Sequence, residues 1–249
     1  MKSELENFFT EPVNMTSREV LFYHKIGYDL KLAAARRNYD LQIFTPGADR
    51  DGYDIVLDDK DTLKKIQLKS SFQSVVESKK KSKTFKIHRN ILRPDLYTYE
   101  KLGFESDPQG TGCGGGVILI DISMEKDIPL ITYFYTDIFI IVGMDEKIIR
   151  KKKDNPRRST LDTFYKEIRK GRSHDKINVS KSMFLKCKSP DHLLALMEFH
   201  SLPLKRWRHN FLKLTANTFY GKKSDISIDY LKKYVPETIG ELIDDDLFL

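Results

Sequence analysis

The sequence predicts an α/β (α+β) fold in which helices flank a central mixed β-sheet. Over residues 19–34, apolar side chains recur at the i, i+3, i+4 and i+7 spacing of an amphipathic helix. Residues 53–68 contain two β-rich runs around a charged turn at 58–61, which is typical of a hairpin. Residues 117–120 and 133–142 are strongly β-branched and aromatic, as in central strands that are buried on both faces.

The remaining elements follow from local signals along the chain. The first helix is predicted to begin at Thr16 and to end near Asn38, and Pro190 marks the first turn of a later helix. We expect a core domain over residues 1–145 and a basic extension over residues 146–249 that contacts DNA or forms a dimer. The other predictions are a strand at 39–45, a strand or helix at 85–92, a helix at 161–170, a strand at 177–187 and a helix at 189–200.

Composition limits the class of protein. Of the 249 residues, 40% are hydrophobic and 32% are charged, as in a soluble globular protein, and no apolar run approaches the roughly 20 residues that span a bilayer. Cys113 and Cys187 do not suggest a disulfide framework and the N-terminus lacks a secretory signal, so we expect a cytoplasmic protein. The net charge of +7 favours nucleic acid as a partner, although a positive surface also serves solubility.

The predicted hairpin brings three polar side chains to one place. Successive side chains of a strand point to opposite faces, so Ile66 and Leu68 share one face while Gln67 and Lys69 share the other. Asp54 follows a glycine-containing loop on the neighbouring strand, and we expect it beside Gln67 and Lys69. A carboxylate, an amide oxygen and an ammonium group would then lie within reach of one metal ion and one phosphate.

These residues carry a resemblance to a known family. Gly52-Tyr53-Asp54 followed by Gln67-Leu68-Lys69 resembles the PD-(D/E)xK nuclease superfamily (restriction endonuclease-like), in particular its Mrr-like branch, where glutamine often stands at the second acidic position. The proline of the motif is absent, and the resemblance covers roughly the first 140 residues. It implies a restriction endonuclease-like core and a metal-dependent DNA endonuclease of a restriction or antiphage defence system.

The resemblance also implies a role for each residue of the motif. Asp54 would be the principal ligand of Mg²⁺, for which Mn²⁺ could substitute, and Gln67 would be a neutral ligand through its side-chain oxygen. Lys69 would orient or help to deprotonate the attacking water and offset the developing negative charge. Gln67 stands where the family motif has an acid, so the metal site has one negative charge fewer. An acid from the first helix, Glu19, would then complete the site. The implied catalytic residues are Glu19, Asp54, Gln67 and Lys69, and the implied metal ligands are Asp54, Gln67 and Glu19.

Glu19 has two explanations that the sequence leaves open. An acid on the apolar face of a helix is costly unless it has a partner, which favours a metal or water ligand. Alternatively, Thr16-Ser17-Arg18-Glu19 fits a capping box, in which Glu19 would accept a hydrogen bond from the backbone of Thr16.

Three basic stretches are candidates for contact with nucleic acid. A lysine run follows the candidate catalytic strand, residues 147–176 hold twelve Lys or Arg against four Asp or Glu, and residues 205–211 interleave cations with aromatics. Each run could instead be a solvated surface, and a lone tryptophan such as Trp207 more often belongs to the core. The predicted contacts are Lys79, Lys80, Lys81, Arg150, Lys151, Lys152, Lys153, Arg157, Arg158, Arg206 and Arg208.

Two classes of function fit these observations. We favour an endonuclease because the helix acid, the motif spacing, its strand setting and the basic C-terminal region coincide. Within this class a restriction or antiphage enzyme ranks above a DNA repair nuclease or junction resolvase, on chain length alone. Double-strand cutting would imply a homodimer, and failure to cut would point to a regulatory partner. The alternative class is a non-catalytic nucleic-acid-binding domain, in which Asp54 is only a turn residue.

Overall fold

Six strands form a mixed sheet at the centre of the computed structural model, which describes residues 3–47, 52–73, 84–93, 114–125, 128–169, 175–219 and 223–244. The strands in chain order are β1 (Gln42–Phe44), β2 (Ile55–Asp58), β3 (Leu63–Gln73), β4 (Thr84–His88), β5 (Gly115–Glu125), β6 (Ile128–Thr136), β7 (Lys176–Ser180) and β8 (Leu185–Lys186). The large sheet has the order β1-β2-β3-β5-β6-β8, and β4 pairs with β7 in a second, two-stranded sheet. The predicted α and β fold with a central mixed sheet flanked by helices is therefore confirmed.

Most helices of the described residues either precede β1 or follow β6 in the sequence. They are α1 (Glu4–Thr10), α2 (Met15–Arg36), α3 (Arg89–Leu92), α4 (Ile138–Asp145), α5 (Arg158–Arg169), α6 (Pro190–Leu196), α7 (Leu202–Phe219) and α8 (Ile228–Gly240). The predicted amphipathic helix corresponds to α2, whose buried stripe contains Phe22, Ile26, Leu30, Ala33 and Ala34. Within the described ranges, no helix combines the length and the apolar character needed to cross a membrane.

The predicted hairpin is formed by β2 and β3. The two strands are antiparallel, with Ile55 opposite Ile66. At the turn, Asp59 Oδ1 accepts hydrogen bonds from the backbone N–H groups of Asp61 at 3.1 Å and Thr62 at 2.7 Å, so a short polar side chain closes the turn, as expected for this residue type. Strand β3 then pairs in parallel with β5, and the crossover between them contains β4 and α3.

The apolar run at residues 133–142 is only partly a strand. Strand β6 ends at Thr136, and α4 begins directly afterwards at Ile138. Asp137 separates them, because its side chain accepts a hydrogen bond from the Ile140 N–H at 2.9 Å and so caps the helix. The prediction of a strand through residue 142 is wrong, since a helix that is buried on all sides has the same continuous apolar sequence as a buried strand.

The two faces of the large sheet are covered by different elements. On one face, Tyr133 Oη donates a hydrogen bond to Asp29 Oδ2 of α2 at 2.6 Å, and we call this the α2 face. On the other, Thr136 Oγ1 donates to the carbonyl oxygen of Met183 at 2.7 Å, in the 3₁₀ turn Lys181–Met183. Gln67 also points to this side, where it contacts β4, and we call it the β4 face.

The hydrophobic core continues across the predicted boundary at residue 145. Strand β8 is the last strand of the large sheet, and α6 packs against α2. The ring of Trp207 in α7 lies edge-on against Phe139 of α4, with 6.0 Å between ring centroids. Residues 146–249 thus complete the core that residues 1–145 begin.

A buried charged network joins the two parts of the chain. Arg208 Nη2 lies 2.5 Å from Asp137 Oδ2, and its Nη1 lies 3.3 Å from Glu198 Oε2. Glu198 also pairs with the Lys64 ammonium at the start of β3, and Tyr135 Oη donates a hydrogen bond to Asp137 Oδ2 at 2.9 Å. We call these five residues the charge network. Its two cations and two carboxylates balance, as buried charges require.

Candidate functional site

Asp54 stands where β2 separates from β3. Its backbone N–H donates a hydrogen bond to the Ile66 carbonyl oxygen at 2.8 Å, and its side-chain Oδ2 accepts one from the Leu68 N–H at 2.5 Å. The Leu68 N–H is thus bonded by a side-chain oxygen of Asp54 and not by a backbone carbonyl of β2. The pairing of β2 with β3 ends at Ile55 opposite Ile66, so Asp54 lies just beyond it, and its bond to the Leu68 N–H sets its carboxylate beside the residue that follows Gln67. The structure thus brings Asp54 close to the segment that holds Gln67.

Gln67 is a buried polar residue on the β4 face, with an exposed fraction of 3%. Its Oε1 accepts a hydrogen bond from the backbone N–H of His88, at the end of β4, at 2.9 Å. This bond orients the side-chain amide. Because an amide oxygen has two lone pairs, the same atom can still bind a cation.

His88 is a part of the site that the sequence did not reveal. A Cβ atom at Gly52 would lie only 2.3 Å from His88 Cγ, so the loop before Asp54 can pack against the His88 ring only with glycine at this position. The φ angle of Gly52 is +74°, which is also a conformation that favours glycine. In the sequence, Gly52 indicates a tight loop before Asp54, but nothing there shows that His88 packs against this loop.

Helix α2 reaches the site through Tyr23 and not through Glu19. Tyr23 Oη donates a hydrogen bond to the Asp54 carbonyl oxygen at 2.7 Å. Glu19 lies one turn earlier and is exposed, because the first turns of α2 extend past the core. The predicted burial of Glu19 is wrong. The capping-box alternative is also wrong, since the helix begins at Met15 after Asn14, which puts Glu19 beyond the third helical position.

Lys69 follows Gln67 by two residues on β3 and is half-buried on the same β4 face. Two residues of a strand span about 7 Å, so the Lys69 backbone is that distance from Gln67. Strand β3 thus carries Gln67 and then Lys69 on one face, and the backbone N–H of Leu68 between them bonds the Asp54 carboxylate.

A second polar cluster continues along the β4 face. Ser71 donates a hydrogen bond to Asp121 Oδ1, and Lys181 Nζ lies 2.5 Å from Asp121 Oδ2. The Lys181 ammonium also lies 4.3 Å from the centre of the Phe134 ring. Asp121 is 2% exposed, and the Lys181 ammonium compensates its charge.

The donor set around Asp54 suits a hard cation. Among the described residues, no group of three or more His, Cys, Asp or Glu side chains is placed to hold a metal ion. One carboxylate from Asp54 and one amide oxygen from Gln67 are oxygen donors of the kind that Mg²⁺ and Mn²⁺ prefer. Mg²⁺ commonly takes one or two carboxylates and fills its remaining positions with water and substrate phosphate. The residues therefore fit a weakly held Mg²⁺.

Most of the predicted nucleic-acid contacts that the structure describes are on the surface. Arg158 is exposed, but it forms ion pairs with Asp145 at 2.5 Å and Asp162 at 2.9 Å. Lys79, Lys80 and Lys81 lie outside the described residues. The other exposed cations are Arg150, Lys152, Lys153, Arg157 and Arg206.

Two of the predicted contacts are wrong. Lys151 is 3% exposed, and its Nζ donates a hydrogen bond to the Phe184 carbonyl oxygen at 3.2 Å. Arg208 is 2% exposed and belongs to the charge network. Burial by itself would lower the pKa of Arg208, but the Asp137 and Glu198 carboxylates raise it, so the guanidinium stays charged inside the protein. Trp207 is fully buried, as expected for a lone tryptophan.

The chain was compared with protein-family models, curated proteins and solved structures, and it matches none of them.

Proposed function

We propose that the chain is a metal-dependent DNA endonuclease with a restriction endonuclease-like core. The observation that carries this proposal is the bond from the Leu68 N–H to the Asp54 carboxylate, which sets that carboxylate beside the backbone between Gln67 and Lys69 at the end of the β2–β3 pair. An acid, an oxygen donor and a cation on adjacent strands form a group that phosphodiester hydrolysis can use. The exposed cations in residues 150–157 and the net charge of +7 are consistent with a polyanionic substrate.

Each residue has a defined chemical task in this proposal. Asp54 and Gln67 would hold Mg²⁺ or Mn²⁺, which when bound polarises a phosphate oxygen and lowers the pKa of a water ligand. The Lys69 ammonium orients the attacking water and offsets negative charge that develops on the phosphate. Glu19 is left out of the ligand set because it is exposed in the first turns of α2.

Neighbouring residues hold this group in position. The His88 N–H fixes which atom of the Gln67 amide points towards β4. Tyr23 ties the Asp54 backbone to α2, so both oxygen donors are supported by elements outside the hairpin. Such support from surrounding residues keeps a site in its productive geometry.

The biological setting we favour is a cytoplasmic restriction or antiphage defence system. Double-strand cutting would require a homodimer with two sites related by two-fold symmetry. A DNA repair nuclease or junction resolvase would use the same residues.

One observation favours a non-catalytic nucleic-acid-binding domain as the second candidate. The bonds from Leu68 N–H to Asp54 and from His88 N–H to Gln67 stabilise the fold whether or not a metal binds. On that reading Asp54 closes the end of the β2–β3 ladder, and Gln67 fastens β4 to the sheet.

Cleavage assays on matched lysine variants separate the two candidates. Wild type, Lys69→Ala and Lys65→Ala are incubated with supercoiled, linear or single-stranded DNA in Mg²⁺, Mn²⁺ or EDTA. Lys65 is the control because it is also half-buried on β3 and points to the same face. We expect metal-dependent cutting that Lys69→Ala abolishes and Lys65→Ala retains. DNA binding without cutting by the wild type would support the binding domain or a nuclease that needs a regulatory partner.

A further inference from the structure

We propose that residues 150–157, here called the basic loop, form a preorganised clamp for the phosphate backbone of double-stranded nucleic acid. Lys151 and Asn155 hold the loop in shape, while Arg150, Lys153 and Arg157 contact phosphates. This binding surface goes beyond the proposed function, because it would serve a nuclease and a binding domain equally.

The basic loop is closed by hydrogen bonds between Lys151 and Asn155. The Lys151 N–H donates to Asn155 Oδ1 at 2.9 Å, and Asn155 Nδ2 donates back to the Lys151 carbonyl oxygen. The Lys151 side chain turns inward, where its Nζ donates to the Phe184 carbonyl oxygen at 3.2 Å. The loop is therefore fastened both to itself and to the segment just before β8.

The cations on the outside of the loop contrast with their neighbour Arg158. Within the part of the chain that the structure describes, Arg150, Lys153 and Arg157 are exposed and form no ion pair. Arg158, the next residue, is also exposed but is neutralised by Asp145 and Asp162. The outward cations of the loop outnumber its one acid, Asp154, so the loop keeps a net positive charge that an anionic partner would compensate.

The chemistry of the surrounding surface favours duplex phosphate over other anions. No large hydrophobic side chain is exposed among the described residues 145–169, and the aromatic side chains there, Phe164 and Tyr165, are buried. Attachment to a membrane surface relies on apolar side chains that enter the lipid. Binding of single strands relies on aromatic rings that stack with bases. A loop whose exposed charges are mainly cations, with Asp154 as its one carboxylate, and which exposes no aromatic ring suits the regularly spaced phosphates of a duplex.

The loop divides into residues that touch the partner and residues that position them. Each phosphate contact releases counterions, so the outward cations set how steeply binding weakens with salt. Lys151 and Asn155 do not reach the partner in this arrangement. They reduce the ordering cost of binding, because the loop already has its bound shape.

The test measures binding of a fluorescent blunt-ended DNA duplex in EDTA, over a range of salt concentrations, with the full chain. In the variant that combines Arg150→Gln, Lys153→Gln and Arg157→Gln, we expect the slope of log affinity against log salt to fall by about 0.9 per lost contact. Arg158→Gln, the matched control, should leave the slope unchanged. Lys151→Met should weaken binding several-fold without a change in slope, and Asn155→Ala provides the same test if Lys151→Met does not fold.

Three results would overturn the proposal. The first is an unchanged salt slope in the triple variant. The second is loss of binding to phosphatidylserine vesicles in that variant while duplex binding is retained, which would make the loop a membrane contact. The third is a reduced salt slope in Lys151→Met, since Lys151 would then be a direct contact. Absence of cleavage by the wild type in Mg²⁺ or Mn²⁺, together with a reduced salt slope in the triple variant, contradicts only the nuclease, so the two proposals fail separately.

Discussion

The Asp54 carboxylate accepts a hydrogen bond from the Leu68 N–H at 2.5 Å, across the gap where β2 leaves β3. One side chain thus completes the strand pairing and is also proposed to bind the metal. These two tasks need different properties of the carboxylate. The hydrogen bond needs an acceptor oxygen, whereas metal binding needs the negative charge.

Asp54→Asn should separate these tasks. The asparagine side chain keeps an acceptor oxygen for Leu68 N–H, so we expect near-normal stability with loss of metal binding and cleavage. Asp54→Ala should lose the acceptor as well and destabilise the fold by about 1–3 kcal/mol. Urea unfolding measures the stability, and calorimetric titration with Mn²⁺ measures the binding. Equal Mn²⁺ affinity in wild type and Asp54→Asn would remove Asp54 from the proposed site.

Gln67→Glu should make stability depend strongly on metal. The new carboxylate would be buried, which is unfavourable without a cation, but it would bind Mg²⁺ or Mn²⁺ more tightly than the amide does. We expect a lower melting temperature than wild type in EDTA, a larger increase on addition of Mn²⁺, and retained cleavage. Gln42→Glu, on the exposed face of β1, is the control and should show no metal response. A metal response identical to that of wild type would contradict the role of Gln67.

Gly52→Ala should destabilise the protein. A positive φ costs an L-residue about 1–2 kcal/mol, and the new Cβ would collide with the His88 ring. The double variant Gly52→Ala with His88→Ala should recover part of the loss, because only the ring contact is relieved. Gly27→Ala is the matched control. Its Cβ would meet no atom within 4 Å inside α2, so it should stabilise by about 0.5–1 kcal/mol. Urea unfolding measures all four proteins, and a Gly52→Ala variant as stable as wild type would contradict the packing.

Glu198 should make the fold sensitive to acid. Burial by itself would raise its pKa, but Arg208 and Lys64 outweigh burial and hold the pKa below its ordinary value of 4.5. A depressed folded-state pKa contributes stability above pH 4.5, and this contribution is lost as the pH falls through the lower folded value.

Glu198→Gln should remove that pH dependence and, at neutral pH, cost about 3 kcal/mol by leaving buried cations with one carboxylate fewer. The free energy of unfolding, measured from pH 7 to pH 3, checks both effects. Asp244→Asn is the control, because its ion pair with Lys186 is largely exposed and such pairs contribute little. If Glu198→Gln and wild type lose the same amount of stability between pH 7 and pH 3, the charge network does not lower the pKa of Glu198.

Local sequence was sufficient for the hairpin and for α2. The charged turn between β2 and β3, and the apolar spacing of α2, act over a few residues and need no distant partner. The proximity of Asp54 to residues 67–69 could be predicted because Asp54 directly precedes β2 of that hairpin. His88 and Tyr23 could not, since they reach the site from β4 and α2 through contacts that only the complete fold creates.

The errors arose where a distant residue decides the outcome. Composition indicates how many cations lie in residues 146–249, but the partner of each decides which of them is buried. Arg208 is drawn inside by Asp137 and Glu198, and Lys151 by the Phe184 carbonyl oxygen. The prediction of a buried Glu19 was wrong because no core residue covers it. Helical periodicity does not show that the first turns of α2 extend beyond the core.

The charge network restricts how this chain could be recombined with others. Lys64 and Asp137 precede residue 145, whereas Glu198 and Arg208 follow it. The ion pairs of Lys64 with Glu198 and of Asp137 with Arg208 therefore join one part to the other. A hybrid that kept residues 1–145 and received a foreign second half would inherit a buried ammonium and a buried carboxylate without their counterions. If residues 146–249 were exchanged to change specificity, the incoming segment would therefore need an acid and an arginine at the positions of Glu198 and Arg208. The two halves are expected to diversify together and not as interchangeable cassettes.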